Sequence, residues 1–162
     1  MNRQEQSLQT AICTYLKMQY PLIPFKVDHG ASQNKVSYIE RKIYAKQSFR
    51  RGFPDFQMIK PSKYYFGLFF ELKGCKEDLF NKNGTAKRGT GDHIAEQYEF
   101  CQLLNQNGYY ACFVWDIDNA IDLIKRYINN EELETQVLTF NSLTRLQKAD
   151  IEADRFFGER GL

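Results

Sequence analysis

FFELKG, residues 69–74, sets a glutamate and a lysine inside a strongly apolar run. The aromatic and branched residues around it favour a β-strand, and a strand sends alternate side chains to opposite faces. Phe69, Glu71 and Lys73 therefore share one face, while Leu68, Phe70 and Leu72 share the other. Burying two charges beside a phenylalanine costs solvation. That face is either a strand-end ion pair with Lys73 snorkelling to water or a site built for chemistry.

The neighbouring residues give the strand its partners. DFQMIK, residues 55–60, and YYFGLFFELK, residues 64–73, are both strand-like, and the turn formers Pro61 and Ser62 lie between them. That pattern predicts an antiparallel hairpin. Asp55 opens the first strand after Gly52-Phe53-Pro54, where glycine permits a sharp entry and proline fixes the backbone. Alone, Asp55 reads equally as a turn residue. Across a hairpin turning near residues 61–66, Asp55 and Glu71 project into one depression at the same edge of the sheet. Two carboxylates held that close repel unless protons or cations intervene. Hard divalent ions such as Mg²⁺ or Mn²⁺ favour oxygen ligands and keep water molecules, which suits acids without a His and Cys cluster. Lys73 then stands beside the ion's water, placed to orient or deprotonate it or to stabilise a pentavalent phosphate.

Further along, GCKEDLFNKNGTAKRGTGD, residues 74–92, has no period and predicts a loop, of a length usually reserved for function. HIAEQYEFCQLLNQNG, residues 93–108, reads as a helix capped by Asp92 and ended by Gly108. YYACFVWD reads as a buried strand and DNAIDLIKRYINN as a further helix capped by Asp116 or Asp118. Near the start, Leu8, Ile12, Tyr15 and Leu16 recur at helical spacing until Pro21 stops the helix, and LIPFKVDHG adds a short strand. The order αβββαβα, with a helical crossover between the last two strands, predicts an α/β fold with a mixed β-sheet flanked by helices. Residues 131–162, with TQVLTF and a helix expected from Ser142 to Phe157, form a C-terminal helical extension. It is expected to pack on the core or serve dimerisation.

Composition bounds the class. With 162 residues, 43% hydrophobic and 26% charged, the chain has the make-up of an ordinary globular protein with one core. It has no apolar run near the roughly 20 residues of a membrane span, and MNRQEQ is unlike a signal peptide, so a cytoplasmic location is expected. Cys13, Cys75, Cys101 and Cys112 make no CxxC pair and are read as reduced thiols. The net charge is +2, with positive charge in excess before residue 116 and negative charge after it. RKIYAKQSFRR, residues 41–51, holds Arg41, Lys42, Lys46, Arg50 and Arg51 and no acid. Such a patch meets phosphates or is a solvated surface.

RRGFPDF (50–56), GLFFELKG (67–74), a helix bearing Gln97, and NGYYACFVWDIDNAIDLIKRYI (107–128) together resemble the VRR-NUC branch of the PD-(D/E)XK nuclease superfamily. The match runs from about Glu5 to Ile128. The resemblance implies a restriction-endonuclease-like core over residues 1–130 and Mg²⁺- or Mn²⁺-dependent hydrolysis of phosphodiesters that leaves a 5′-phosphate. It implies Asp55, Glu71 and the Leu72 carbonyl as metal ligands and Lys73 as the catalytic lysine. Glu5 continues the apolar stripe of the first helix, where a carboxylate needs a partner or complements the helix dipole; the resemblance carries it to the metal site. Gln97 interrupts the stripe Ile94, Cys101, Leu104 and matches the family's active-site glutamine, which holds the lysine and the scissile phosphate. Many members open that helix with Ser-Pro, whereas this chain reads GDHIAEQ.

DNA is the expected substrate, chosen by shape (junction, flap or nick) since no recognition helix is apparent. Residues 41–51 together with Lys76, Lys82, Lys87 and Arg88 are expected to track its backbone. Stand-alone members of the family resemble junction resolvases that act as homodimers, and a dimer places two sites on two strands. The alternatives are a nucleic-acid-binding module, a subunit that needs a partner to cut, or an RNA-directed nuclease. His29, at a strand end, is a turn residue or a phosphate contact, and His93 belongs to the first turn of its helix. Tyr64, Tyr65, Tyr109, Tyr110 and Trp115 alternate within apolar strands and read mostly as core rather than as base-stacking groups.

Overall fold

The structure is a computed structural model and describes residues 3–28 and 52–140. His29, the basic stretch 41–51 and the helix expected from residue 142 lie outside the described residues. Helix α1 (Arg3–Gln19) leads into strand β1 (Phe25–Val27), followed by β2 (Phe56–Met58) and β3 (Leu68–Leu72). A one-turn helix α2 (Lys76–Leu79), helix α3 (His93–Gln106), strand β4 (Tyr110–Val114) and helix α4 (Ile117–Ile128) complete the order. The four strands form one sheet in the order β1-β2-β3-β4. β1 and β2 pair antiparallel, as do β2 and β3, while β3 and β4 run parallel across the α3 crossover. The predicted mixed sheet between helices is the observed one.

The alternation read from FFELKG organises both layers. Leu68, Phe70 and Leu72 point to the layer of α1 and α4, where they meet Leu8, Ile12, Leu16, Ala120, Ile124 and Tyr127 in one buried cluster. The rings of Phe25, Phe56 and Phe70 stack across three strands with centroids 5.9 and 5.5 Å apart, the cross-strand contact that favours this pairing. Phe69 points the other way, into a second cluster with Ile94, Cys101, Ala111 and Phe113 under α3. Burying a side chain such as Phe70 contributes about 1.5–3 kcal/mol, so these layers fix the register and with it the placement of Glu71 and Lys73.

Several expectations are corrected. The strands are shorter than the apolar runs: Tyr64–Phe66 form a turn, in which the Ser62 amide donates to the Tyr65 carbonyl (2.8 Å) and the Tyr65 amide to Ser62 Oγ (3.2 Å). Residues 74–92 are no featureless loop. They contain α2, a bridge between Phe80 and Ala86, and a 3₁₀ turn at Thr90–Asp92, with Leu79 and Ala86 buried. Asp92 stands at the start of α3 in a left-handed conformation (φ 65°) and makes no side-chain cap; its carboxylate instead accepts from Arg88 Nε at 2.7 Å. Asp116 does cap α4, accepting from the Asp118 amide at 3.0 Å. All four cysteines are free thiols, and among the described residues no helix is long and apolar enough to cross a membrane.

Residues 131–140 run beside the outer edge of β4 without joining it as a strand. The outward amide of Phe113 donates to Gln136 Oε1 (2.8 Å) and its carbonyl accepts from Gln136 Nε2 (3.2 Å). Asn105 does the same for Ala111, at 2.8 and 3.0 Å. Two carboxamides thus satisfy backbone groups that would otherwise recruit another strand. The same segment buries Leu133 and Leu138 against the core.

Candidate active site

The β2–β3 register opposes Phe56 to Phe70, so Asp55, one residue before β2, falls beside Glu71 near the end of β3. Its backbone is held by the Asp28 amide, which donates to the Asp55 carbonyl at 2.7 Å. Its carboxylate accepts from the Leu72 amide at 3.1 Å. The Leu72 carbonyl, on the same side of the strand as that amide, faces the same region. Gly52 admits the entry: its φ is +93°, and a Cβ there would meet the Glu96 carbonyl at 3.0 Å and Gln97 Cα at 3.2 Å. Glycine therefore lets the segment leading to Asp55 lie directly on the backbone of α3.

Glu71 is 1% exposed and Lys73 7%. Lys73 Nζ donates to Glu71 Oε1 at 2.9 Å and to Gln97 Oε1 at 2.8 Å, and lies 5.5 Å from the Phe113 ring centroid. Gln97 Nε2 donates to Glu71 Oε1. Gln97 is thus the turnstile of the cluster, accepting from the lysine and donating to the acid. Glu71 Oε2 is buried and meets no donor; the Asp55 carboxyl lies close enough for the two acids to share a proton when either is protonated. Burial pushes the Glu71 carboxyl up to about 8; Lys73 opposes that rise and the neighbouring Asp55 adds to it. Burial also raises Asp55, against the Leu72 amide and Lys73, while Glu5 pushes it further up.

Glu5, Asp55, Glu71, Leu72, Lys73 and Gln97 all line one depression of about 340 Å³. The first turn of α1, the ends of β2 and β3, and one face of α3 bring them together. Asp78, Gly89, His93 and Ile94 complete its wall, and Asp78 Oδ2 is a second buried oxygen without a hydrogen-bond partner. Sequence reasoning missed Asp78 because α2 was hidden in a stretch without period. His93, read only as part of the first turn of its helix, was missed as well, although it precedes Gln97 by four, the spacing of one helix face.

Among the described residues no group of three His, Cys, Asp or Glu side chains is arranged to hold a metal ion. The donors present still fit a hard divalent ion. Two converging carboxylates, one with an orphaned buried oxygen, and a main-chain carbonyl match an Mg²⁺-type site, which is bound through one or two carboxylates and keeps several waters.

Of the expected phosphate contacts, Lys76, Lys82 and Lys87 are exposed. Lys76 lies 5.9 Å from the Phe80 ring centroid, and Lys87 donates to the Glu77 carbonyl. Arg88 is committed to Asp92. Arg41, Lys42, Lys46, Arg50 and Arg51 lie outside the described residues.

No protein-family model matches the chain, and no curated protein matches it. Among solved structures the chain is similar to a VRR_NUC domain protein, with a TM-score of 0.53 and 22% identity, covering 85% of this chain and 99% of that one. The shared fold is an α/β restriction-endonuclease-like one, with its mixed sheet between helices.

Proposed function

We propose that the chain is a nuclease that hydrolyses DNA phosphodiesters with Mg²⁺ or Mn²⁺ held by Asp55, Glu71 and the Leu72 carbonyl, with Glu5 on the wall of the same depression. The observation that carries this reading is the buried, unpartnered Glu71 Oε2 beside a second carboxylate and an ammonium. Leaving a carboxylate oxygen unsatisfied at that depth is costly unless an ion or proton meets it. The fold shared with a VRR_NUC domain protein supports the same class.

When bound, the ion acidifies a water and offsets charge on the phosphate. The chain's own residues do the rest. Lys73, fixed by Glu71 and Gln97, holds its ammonium where it can orient the attacking water and stabilise the added charge on the phosphate oxygens. Gln97 sets the lysine rotamer and leaves the ammonium a further proton to donate. Attack on phosphorus breaks the bond to the 3′ oxygen, which leaves with a proton as hydroxyl, and the 5′-phosphate remains. Lys76, Lys82 and Lys87 supply sequence-independent, salt-dependent contacts along the strand. Selection is for junctions, flaps or nicks, and the active form is a homodimer.

Nicking of supercoiled plasmid in Mn²⁺ tests the reading. Wild type should nick, whereas Lys73→Ala and Asp55→Asn should nick at least about 10²-fold more slowly. Binding without nicking by the wild type would instead mark a docking module or a subunit that needs a partner, and preference for matched RNA at one salt concentration would mark an RNA-directed enzyme.

A further inference from the structure

Helix α3 covers only part of its side of the sheet. In the row Lys26, Gln57, Phe69, Ala111, set by the strand registers, Phe69 and Ala111 are buried while Gln57 is half-buried and Lys26 exposed. Phe53 stands at the border between covered and uncovered sheet. Its ring meets Phe69 edge-on with centroids 6.0 Å apart and Phe100 at 5.2 Å, yet it remains 49% exposed. Gly52, pressed on the α3 backbone, anchors it from behind. The ring is thus held on two sides and open on a third.

Its position gives the platform an occupant. Phe69, on which Phe53 packs, is two residues from Glu71 on one strand face, a step of about 7 Å, and Phe53 precedes Asp55 by two residues, so the platform borders the carboxylate end of the sheet. Lys26 stands further out on the same row and has no ion pair among the described residues. Asp28, the next residue of that parity, lies at the carboxylate end. An open aromatic face flanked by an exposed lysine suits a base with its phosphate better than an apolar protein segment.

We infer that Phe53 is the stacking platform for an unpaired base next to the scissile phosphate, with Lys26 contacting the phosphate of that nucleotide. The inference rests on the nuclease reading and deepens it: the enzyme selects strands whose bases are free to leave the helix, as at flaps, branches and frayed nicks, over uninterrupted duplex.

The test uses the full chain in EDTA, so that it does not depend on cleavage. Phe53→Trp is titrated with an oligo-dT strand and with the same strand paired to oligo-dA, and the signal of Trp115 is subtracted with wild-type protein. Saturable quenching by the single strand and little by the duplex is expected. Phe53→Leu should keep the melting temperature but bind the single strand about 5- to 150-fold more weakly, the range of one base–aromatic stack, and Phe53→Tyr should restore binding. Lys26→Ala should lower the salt slope by about 1. Absence of quenching, or equal binding by the Leu and Tyr variants, overturns the inference. The nuclease reading fails by a different result, namely no nicking of plasmid by wild type in Mn²⁺.

Discussion

Leu72 and Glu71 are neighbours on β3, each 1% exposed, and they face opposite layers. The Leu72 side is closed by a cluster of buried hydrophobic side chains. The Glu71 side buries an acid, an amine and an amide that satisfy one another except at a single oxygen. Equal burial therefore has two meanings in one strand. The first layer holds the fold by apolar packing, while the second sets a polar cluster among its own buried apolar groups.

The sharpest way to break that contrast is to damage the apolar layer. Phe70→Ala should cost about 3–5 kcal/mol of stability, read by urea denaturation. Lys73→Ala, on the other face, should reduce the rate of cleavage by about 10²–10³-fold, the scale of one lost electrostatic stabiliser, measured as plasmid nicking in Mn²⁺. If both substitutions acted chiefly on stability, the two layers would be the same kind of core.

The acid provides a finer discriminator. A Glu carboxyl in the unfolded chain releases its proton near 4.5, whereas folded Glu71 keeps it up to about 8. The folded state thus binds the extra proton in that window, and the stability it brings is complete below about 4.5 and lost as pH rises through about 8. Glu71→Gln imitates the protonated form, so its melting temperature in EDTA should match wild type near pH 5 and exceed it near pH 9. Mg²⁺ should narrow the gap at the higher pH by stabilising wild type only. Identical melting curves for the two proteins at both pH values would refute this account of the burial.

A smaller effect is expected at the sheet edge. Gln136→Ala leaves the Phe113 amide and carbonyl without their partners and should cost about 1–3 kcal/mol, with cleavage per folded molecule unchanged. A matching loss of cleavage would show that the segment 131–140 acts on the site and not merely on the edge.

What was legible follows from how far each signal reaches along the chain. The two faces of β3 were readable because side-chain parity in a strand is strict: Leu68, Phe70 and Leu72 separated from Phe69, Glu71 and Lys73 as the pattern required. Glu5 lay on the apolar face of its helix and Gln97 broke an apolar stripe, but only the family resemblance tied either to the site; both line the one depression. Residues 74–92 were opaque for the opposite reason. Ala86 is ordered by the Thr139 carbonyl, which accepts its amide at 2.8 Å, and no local period announces a partner more than fifty residues away. Asp92 looked like a cap, but Arg88 claims its carboxylate. The role of TQVLTF was unreadable because Gln136 meets β4 through its side chain, which leaves no strand pattern to find.

The two carboxamides along β4 carry a chemical clock. Each donates and accepts at once, a pairing that a carboxylate of the same length cannot copy at neutral pH. Slow hydrolysis of the amide of Asn105 or Gln136 would turn a donor into an anionic oxygen facing a backbone carbonyl, and the strand beside it would regain its appetite for other chains. Old preparations should accordingly clump before the cluster around Glu71 is disturbed.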